Sequence, residues 1–159
     1  MNFSSALEKI ESSQVFKQFK KQHPDAYFCA GFFVIDYEGT SQQQLDYCLK
    51  DGRVFTFIIN KEISYKEAET IEGKQQKLSK LNKEIKVDLP AVENIVKEKV
   101  KKKINKIIAV LQEYQDKQIW NLNIMTEGFG ITQMHIDSDS GEVLKLEKRN
   151  MFDFIKRVK

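Results

Sequence analysis

The chain registers against itself without a gap when residues 31–57 are laid on residues 120–146. Turn residues and apolar positions coincide in the two segments: Glu38-Gly39 with Glu127-Gly128, Gly52 with Gly141, Phe33 with Leu122, Ile35 with Ile124, Leu45 with Met134, and Val54 with Val143. A unit that recurs in one chain must bury its apolar face against a neighbour, so this match constrains the fold more than any other feature. It predicts a tandem repeat.

Each copy is predicted to form one helix followed by three antiparallel strands. The first helix is indicated by apolar residues at three- and four-residue steps, Phe3, Leu7, Ile10, Val15, Phe16 and Phe19, and it ends near His23-Pro24, where proline disfavours helix in the preceding residue. Three strand-like runs follow, separated by Glu38-Gly39 and by Asp51-Gly52. Glycine at these turns adopts positive φ without steric cost.

The middle of the chain carries helix signals. Ser64 and Glu67 form a capping-box pattern, which predicts a helix over about 65–86. Pro90 then starts a second long helix, over about 91–115, whose apolar face holds Val92, Val96, Val100, Ile104, Ile107, Ile108 and Leu111. Strands are predicted at about 118–126, 131–138 and 142–148, and the remaining residues form a short docked tail.

These elements predict an α+β fold of two tandem repeats, each a helix plus a three-stranded antiparallel sheet, with the helices packed on one sheet face. The first repeat spans 1–62, a connecting helix 63–90, and the second repeat with its tail 91–159. We expect the three parts to form one compact unit. The strands form either one sheet or two adjoining sheets.

The second copy resembles the PepSY family, whose repeats carry a tryptophan-led strand and a last hairpin of the form hydrophobic-D-x-x-T/S-G-E-V-L. Its matching residues are Trp120, Ile136, Asp137, Ser140, Gly141, Glu142, Val143 and Leu144. In the first copy, Gly31 replaces the tryptophan and Cys48 the aspartate. The resemblance implies a PepSY-like or cystatin-like architecture and a non-catalytic module; in secreted relatives this module inhibits or restrains peptidases.

The composition of the chain limits the classes of function that it can serve. With 26 basic and 23 acidic residues the formal net charge is +3, so no global field favours nucleic acid or an anionic membrane. The first twenty residues show no secretory pattern, and we expect a cytoplasmic protein without a membrane span. Cys29 and Cys48 lie in apolar runs, where buried thiols are favoured over a disulfide.

No familiar catalytic motif is present, and we predict no enzyme, no cofactor and no metal. His135, Asp137 and Asp139 alternate, but the following residues do not fit a calcium loop, so a solvated hairpin with a capping aspartate is favoured. Glu38 and Glu127 occupy equivalent turns, where solvation explains them more simply than acid–base chemistry.

A lysine-rich run supports one alternative function. Residues 97–106 hold six lysines, and on a helix Lys99, Lys102 and Lys106 share one flank. They would contact phosphates in a nucleic-acid-binding protein. The run has no arginine and no aromatic residue for base stacking, so a solvated face is favoured.

The first predicted strand is apolar on both faces, whereas IWNLNIM in the second copy alternates. Phe28, Phe32 and Val34 are therefore predicted to face away from the helices. An exposed apolar patch invites association, so this outer face of the first repeat is the hypothesised protein-binding site. The cover is either the connecting helix, a second copy of the protein, or a different partner.

Overall fold

The structure is a computed structural model in which residues 1–69 and 78–150 are described. Eight antiparallel strands form one sheet in the order β4-β3-β2-β1-β5-β6-β7-β8. The strands are β1 (Tyr27–Asp36), β2 (Gln42–Cys48), β3 (Val54–Ile59), β4 (Ile63–Glu67), β5 (Ile104–Tyr114), β6 (Lys117–Thr126), β7 (Gly130–Asp137) and β8 (Val143–Asn150). Strands β1 and β5 form the centre, and each begins a four-strand meander that runs outward to an edge.

The described part of the chain has three α-helices, α1 (Phe3–Glu11), α2 (Gln14–Gln22) and α3 (Leu89–Lys99), and a short 3-10 turn, Glu127–Phe129. Ser13 interrupts the first predicted helix, because its hydroxyl accepts the N–H of Phe16 and begins α2. Asp88 joins two helix starts: its carboxylate accepts the N–H groups of Phe3 and Leu89. One carboxylate thus stabilises the N-termini of both α1 and α3.

The core lies between the helices and one face of the sheet. Alternate residues of neighbouring strands face it, among them Phe33, Leu45, Phe57, Ile107, Leu111, Trp120 and Leu122, all fully buried. Helix residues Phe3, Phe16 and Phe19 pack on this layer, with Phe16 and Tyr47 ring centroids 4.9 Å apart. This packing places the helices on one face of the sheet.

Residues 78–88 cross the helix side of the sheet without forming a helix. Leu81 is buried in the core, and its N–H donates to the carbonyl oxygen of Phe28. The indole N–H of Trp120 donates to the carbonyl oxygen of Val87 at 2.8 Å. The segment therefore ties both halves of the sheet together on the side that the helices occupy.

The prediction of two tandem helix-plus-three-strand repeats is wrong. The sheet is continuous, and each half contributes four strands instead of three. The matched segments place β1 on β6, β2 on β7 and β3 on β8, but β1 is a central strand whereas β6 is not. The similarity is thus between local hairpins, which share turn chemistry, and does not define equivalent units of the fold.

The second long helix ends at Lys99 and does not reach residue 115. Ile104–Tyr114 is strand β5, paired with β1 and β6. Ile104, Ile107, Ile108 and Leu111 have helical spacing, but the run IIAV also fits a central strand that is apolar on both faces. Since isoleucine and valine favour strands, pairing on both sides decides in favour of β5.

The connecting helix over 63–90 is also wrong where the structure describes it. Ile63–Glu67 is strand β4, in which Tyr65 stacks on Phe57 of β3 with ring centroids 4.9 Å apart. Residues 70–77 of the predicted helix, and 151–159 of the predicted tail, lie outside the described residues. Tertiary contact with β3 therefore outweighs the capping-box signal.

Two hairpin glycines act as predicted. Gly52 has φ of 92° and Gly141 of 80°, conformations that L-residues rarely adopt. Gly128 also has positive φ, whereas Gly39 does not, so the expectation for that turn is wrong. Asp137 Oδ1 accepts the N–H groups of Asp139 and Ser140, which confirms the capping aspartate and lowers the pKa of Asp137.

Candidate binding face

The sheet face opposite α1, α2 and α3 is called the helix-free face. Its side chains alternate with the core residues; in the six inner strands they include Thr56, Ile58, Gln42, Gln44, Asp46, Phe32, Val34, Ile108, Val110, Asn121, Asn123, Gln133 and His135. Within residues 1–69 and 78–150, all three helices pack on the other face. The described elements thus leave the helix-free face without a second layer.

Four apolar residues form a square at the centre of this face. Phe32 pairs with Val110 and Val34 pairs with Ile108 across the central strands β1 and β5. Phe32, Ile108 and Val110 are half-buried, and Val34 is buried with 8% exposure. We call these four residues the apolar square. Its two halves come from segments more than 70 residues apart in sequence, so only the β1–β5 pairing creates it.

Amide side chains frame the apolar square on both sides. On β2, Gln44 lies opposite Phe32 and Gln42 opposite Val34. On β6, Asn121 lies opposite Val110 and Asn123 opposite Ile108. Uncharged donors and acceptors thus border the apolar centre on two sides. Binding surfaces of proteins have this arrangement, in which a polar rim encloses an apolar patch.

Three buried side-chain atoms in the described part of the chain have no hydrogen-bond partner: Asp46 Oδ1, Asn121 Oδ1 and His135 Nε2. All three residues belong to the helix-free face, and Asn121 lies directly opposite His135 across β6 and β7. A buried polar atom without a partner costs about 1–3 kcal/mol, and such atoms are rare in native proteins. The helix-free face therefore carries polar groups that the described residues do not satisfy.

Burial also shifts the titration of two of these groups. It raises the pKa of Asp46, and a hydrogen bond from Thr56 opposes the shift only in part. It lowers the pKa of His135, and the neighbouring positive charge of Lys145 lowers that pKa further. In both cases burial favours the neutral form of the side chain, because the charged form loses its hydration.

The residues predicted for partner binding lie on opposite faces of the sheet. Phe28 is 1% exposed and lies in the core, where its ring stacks on that of Phe3 at 5.3 Å, so its predicted outward placement is wrong. The cause is a bulge between Phe28 and Ala30, which moves Cys29 out of register with β2 and reverses the alternation. Phe32 and Val34 do lie on the helix-free face.

The three lysines of the alternative site do not share a helix. Lys99 ends α3, Lys102 lies in the following loop, and Lys106 is in β5, where its Nζ is 3.6 Å from Asp36 Oδ2. Lys102 instead lines a cavity with Lys101, Lys148 and Arg149. The predicted flank of a single helix is therefore wrong.

The cysteine prediction is confirmed: Cys29 and Cys48 are free and buried. In the described residues, no cluster of three histidine, cysteine, aspartate or glutamate side chains is arranged to hold a metal ion. No helix in that part of the chain is long and apolar enough to cross a bilayer.

Comparison with known proteins gives one structural likeness. No protein-family model matches the chain, and no curated protein matches it. The structure is similar to the crystal structure of a putative lipoprotein from Clostridium difficile 630, with a TM-score of 0.57, 17% sequence identity, and coverage of 89% of this chain and 94% of that chain. At this identity the likeness shows the fold alone.

Sequence reasoning missed Asn121 and His135 as members of the face. Their alternation with Trp120 and with Met134 marks them as residues of the opposite side. That signal identifies a face, but it does not reveal that the two polar atoms are buried and unpaired. The side chains that lie next to Asn121 and His135 are known only once the registers of β5 to β8 are known.

Proposed function

We propose that the protein is a non-catalytic binding module that docks a partner protein on the helix-free face. The observation that carries the proposal is the combination, on this one face, of the apolar square with three unpaired buried polar atoms. Burial of an exposed apolar patch favours association, and a partner that donates or accepts hydrogen bonds satisfies the amide frame.

The charges around the square favour an acidic partner surface. On the helix-free face of β5 to β8, the basic residues Lys106, Lys117, Lys145 and Arg149 outnumber the two carboxylates, Asp137 and Glu147. Glu147 is paired with Arg149 at 3.0 Å and with Lys145 at 3.7 Å. A partner with an apolar centre and carboxylates beside β8 complements this pattern and gains from electrostatic steering.

Other predictions from the sequence stay predictions. The PepSY resemblance, the peptidase-restraining role that it implies, the absence of catalysis and the cytoplasmic location are in this group. Nucleic-acid binding also stays an alternative, although the single lysine-bearing helix on which it was based is absent. Affinity that falls steeply with salt and survives disruption of the apolar square would favour it over protein docking.

The test compares three tagged proteins in capture from native lysate treated with nuclease. The first is the unmodified chain, the second carries Phe32→Glu and Val110→Glu, and the third carries Leu146→Glu. Leu146 is 44% exposed and pairs with the core residue Met134, so it controls for a charge added to an apolar position on the opposite face.

We expect the unmodified chain and the Leu146→Glu protein to capture the same stoichiometric partner, and the double variant to lose it. A partner retained by the folded double variant contradicts the proposal. Light scattering of the purified chain distinguishes a second copy from a different protein, because only self-association raises the mass of the isolated protein.

A further inference from the structure

A cavity of about 340 Å³ opens on the helix-free face at the β5–β6 hairpin, away from the apolar square. It is lined by Tyr114, Gln115, Lys117, Ile119, His135, Leu144 and Lys145. The hairpin turn at Gln115 and Asp116, both with positive φ, carries the side chains of Tyr114 and Lys117 over one end of β7. Four strands, β5 to β8, and a tight turn thus build the walls.

His135 is the feature that marks this cavity as a binding site. The residue is 4% exposed although it lies on the side of the sheet without helices, and the Tyr114 ring contacts it edge-on with centroids 5.0 Å apart. Its Nε2 is buried and has no hydrogen-bond partner among residues 1–69 and 78–150. A buried imidazole nitrogen without a hydrogen bond is costly, and a ligand atom placed against this ring supplies the missing bond.

The side chains that line the cavity also favour a negatively charged ligand. Lys117 and Lys145 bring two ammonium groups to the cavity, and none of the described residues that line it carries a carboxylate. Lys145 interacts with Glu147 at 3.7 Å, a contact between partly exposed side chains that is weak and easily exchanged. Ile119, which is buried, Leu144 and the Tyr114 ring supply apolar surface beside these charges.

We propose that this cavity binds a small molecule that carries one carboxylate on an apolar body. The carboxylate contacts the ammonium groups of Lys117 and Lys145 and accepts a hydrogen bond from His135, while the apolar body packs on Ile119 and Leu144. A carboxylate accepts charge-assisted hydrogen bonds from several donors at once, which suits this group of side chains. A mostly apolar cavity with a few convergent polar groups is typical of a small-molecule site.

This site shares His135, Lys117 and Lys145 with the proposed docking surface, but it does not include the apolar square. The apolar square is formed by β1 and β5 residues, none of which lines the cavity. Phe32→Glu with Val110→Glu is therefore expected to remove partner capture and to leave carboxylate binding intact, so that failure of one proposal is distinguishable from failure of the other.

The experiment is an NMR titration of the full chain with 3-phenylpropanoate as the probe and 3-phenylpropanamide as its uncharged analogue. Amide and His135 ring signals are followed in the unmodified chain, in Lys117→Gln with Lys145→Gln, and in Lys66→Gln. Lys66 lies at the far end of the sheet, on β4, and controls for loss of a surface charge.

We expect saturable binding of the acid, with shifts at Ile119, His135 and Leu144, and affinity at least about tenfold weaker for the amide and for the double lysine variant. The Lys66→Gln protein binds as the unmodified chain does. Absence of saturable binding up to about 10 mM acid overturns the proposal. Equal affinities for acid and amide, or for the unmodified chain and the double variant, overturn it as well.

Discussion

Phe28 and Phe32 lie on the same strand, four residues apart, and face opposite sides of the sheet. Phe28 stacks on Phe3 of α1 in the core, whereas Phe32 pairs with Val110 in the apolar square. In an unbroken strand, residues four apart share a face, so the bulge at Cys29 is what separates their roles. One phenylalanine therefore holds the fold together and the other is available to a partner.

This difference predicts unequal costs of truncation. Phe28→Ala lowers the free energy of unfolding by about 3–5 kcal/mol, because it opens a cavity between α1 and the sheet. Phe32→Ala costs about 1 kcal/mol, since its ring is only half-buried in the isolated chain. Urea denaturation measures both values, and equal losses would show that the two rings occupy equivalent environments.

Trp120 anchors the segment that precedes α3, and its replacement tests that anchor. Trp120→Phe lowers the free energy of unfolding by about 2–4 kcal/mol, because it leaves a cavity and deprives the Val87 carbonyl of its donor. Ile124→Val, on the same strand and also fully buried, is the control and costs about 1 kcal/mol. A smaller loss for the tryptophan variant than for the control would argue against the anchor.

The raised pKa of Asp46 predicts how stability depends on pH. A carboxyl whose pKa is higher in the folded than in the unfolded chain binds more protons when folded, so it stabilises fully only below the unfolded pKa of about 3.9. That stabilisation is lost as pH rises through the folded pKa. Asp46→Asn should therefore raise the free energy of unfolding at pH 7 relative to the unmodified chain, and the difference should shrink toward pH 3.

Denaturation of both proteins at a series of pH values checks this prediction. A variant that is less stable than the unmodified chain at pH 7, with a difference that shrinks as the pH falls below about 4, would contradict it, because the folded chain would then favour the ionised Asp46 carboxylate. The Thr56 hydrogen bond would then outweigh burial.

For His135 the dependence of stability on pH has the opposite direction. Its pKa lies below 6.5 because burial and the charge of Lys145 both disfavour the protonated ring. The neutral ring therefore contributes stability at pH values above about 6.5, which is lost as pH falls through the lower folded pKa. NMR titration of the ring protons should show this lower pKa, and Lys145→Gln should raise it while Lys66→Gln does not. A pKa at or above 6.5 in the unmodified chain would contradict the burial of the ring.

Much of the fold follows from local patterns. The interruptions at Gly52 and Gly141, together with strand-like runs of apolar residues, correctly predict β1 to β3 and β6 to β8. Two strands were missed for physical reasons. Ile104 to Leu111 satisfies both helical spacing and a two-sided strand, and only pairing with β1 and β6 decides between them.

The candidate face was partly predictable. The two-sided apolarity of the YFCAGFFVI run indicates correctly that Phe32 and Val34 lie away from the helices. It cannot reveal the bulge at Cys29, because a bulge is set by pairing with β2. This bulge turns the Phe28 side chain to the helix side of the sheet. The run also cannot supply Ile108 and Val110, since their segment was expected to be helical. The apolar square therefore depends on the contact between the two halves of the chain.

Hydroxyl-radical footprinting tests the helix-free face most directly, by comparing the isolated protein with the assembly recovered from native lysate. We predict that oxidation of Phe32 and Met125, both on this face, decreases in the assembly, while Tyr65 and Leu146, which are 38% and 44% exposed on the helix side, react as before. Protection of Tyr65 and Leu146 with unchanged oxidation of Phe32 and Met125 would contradict the account.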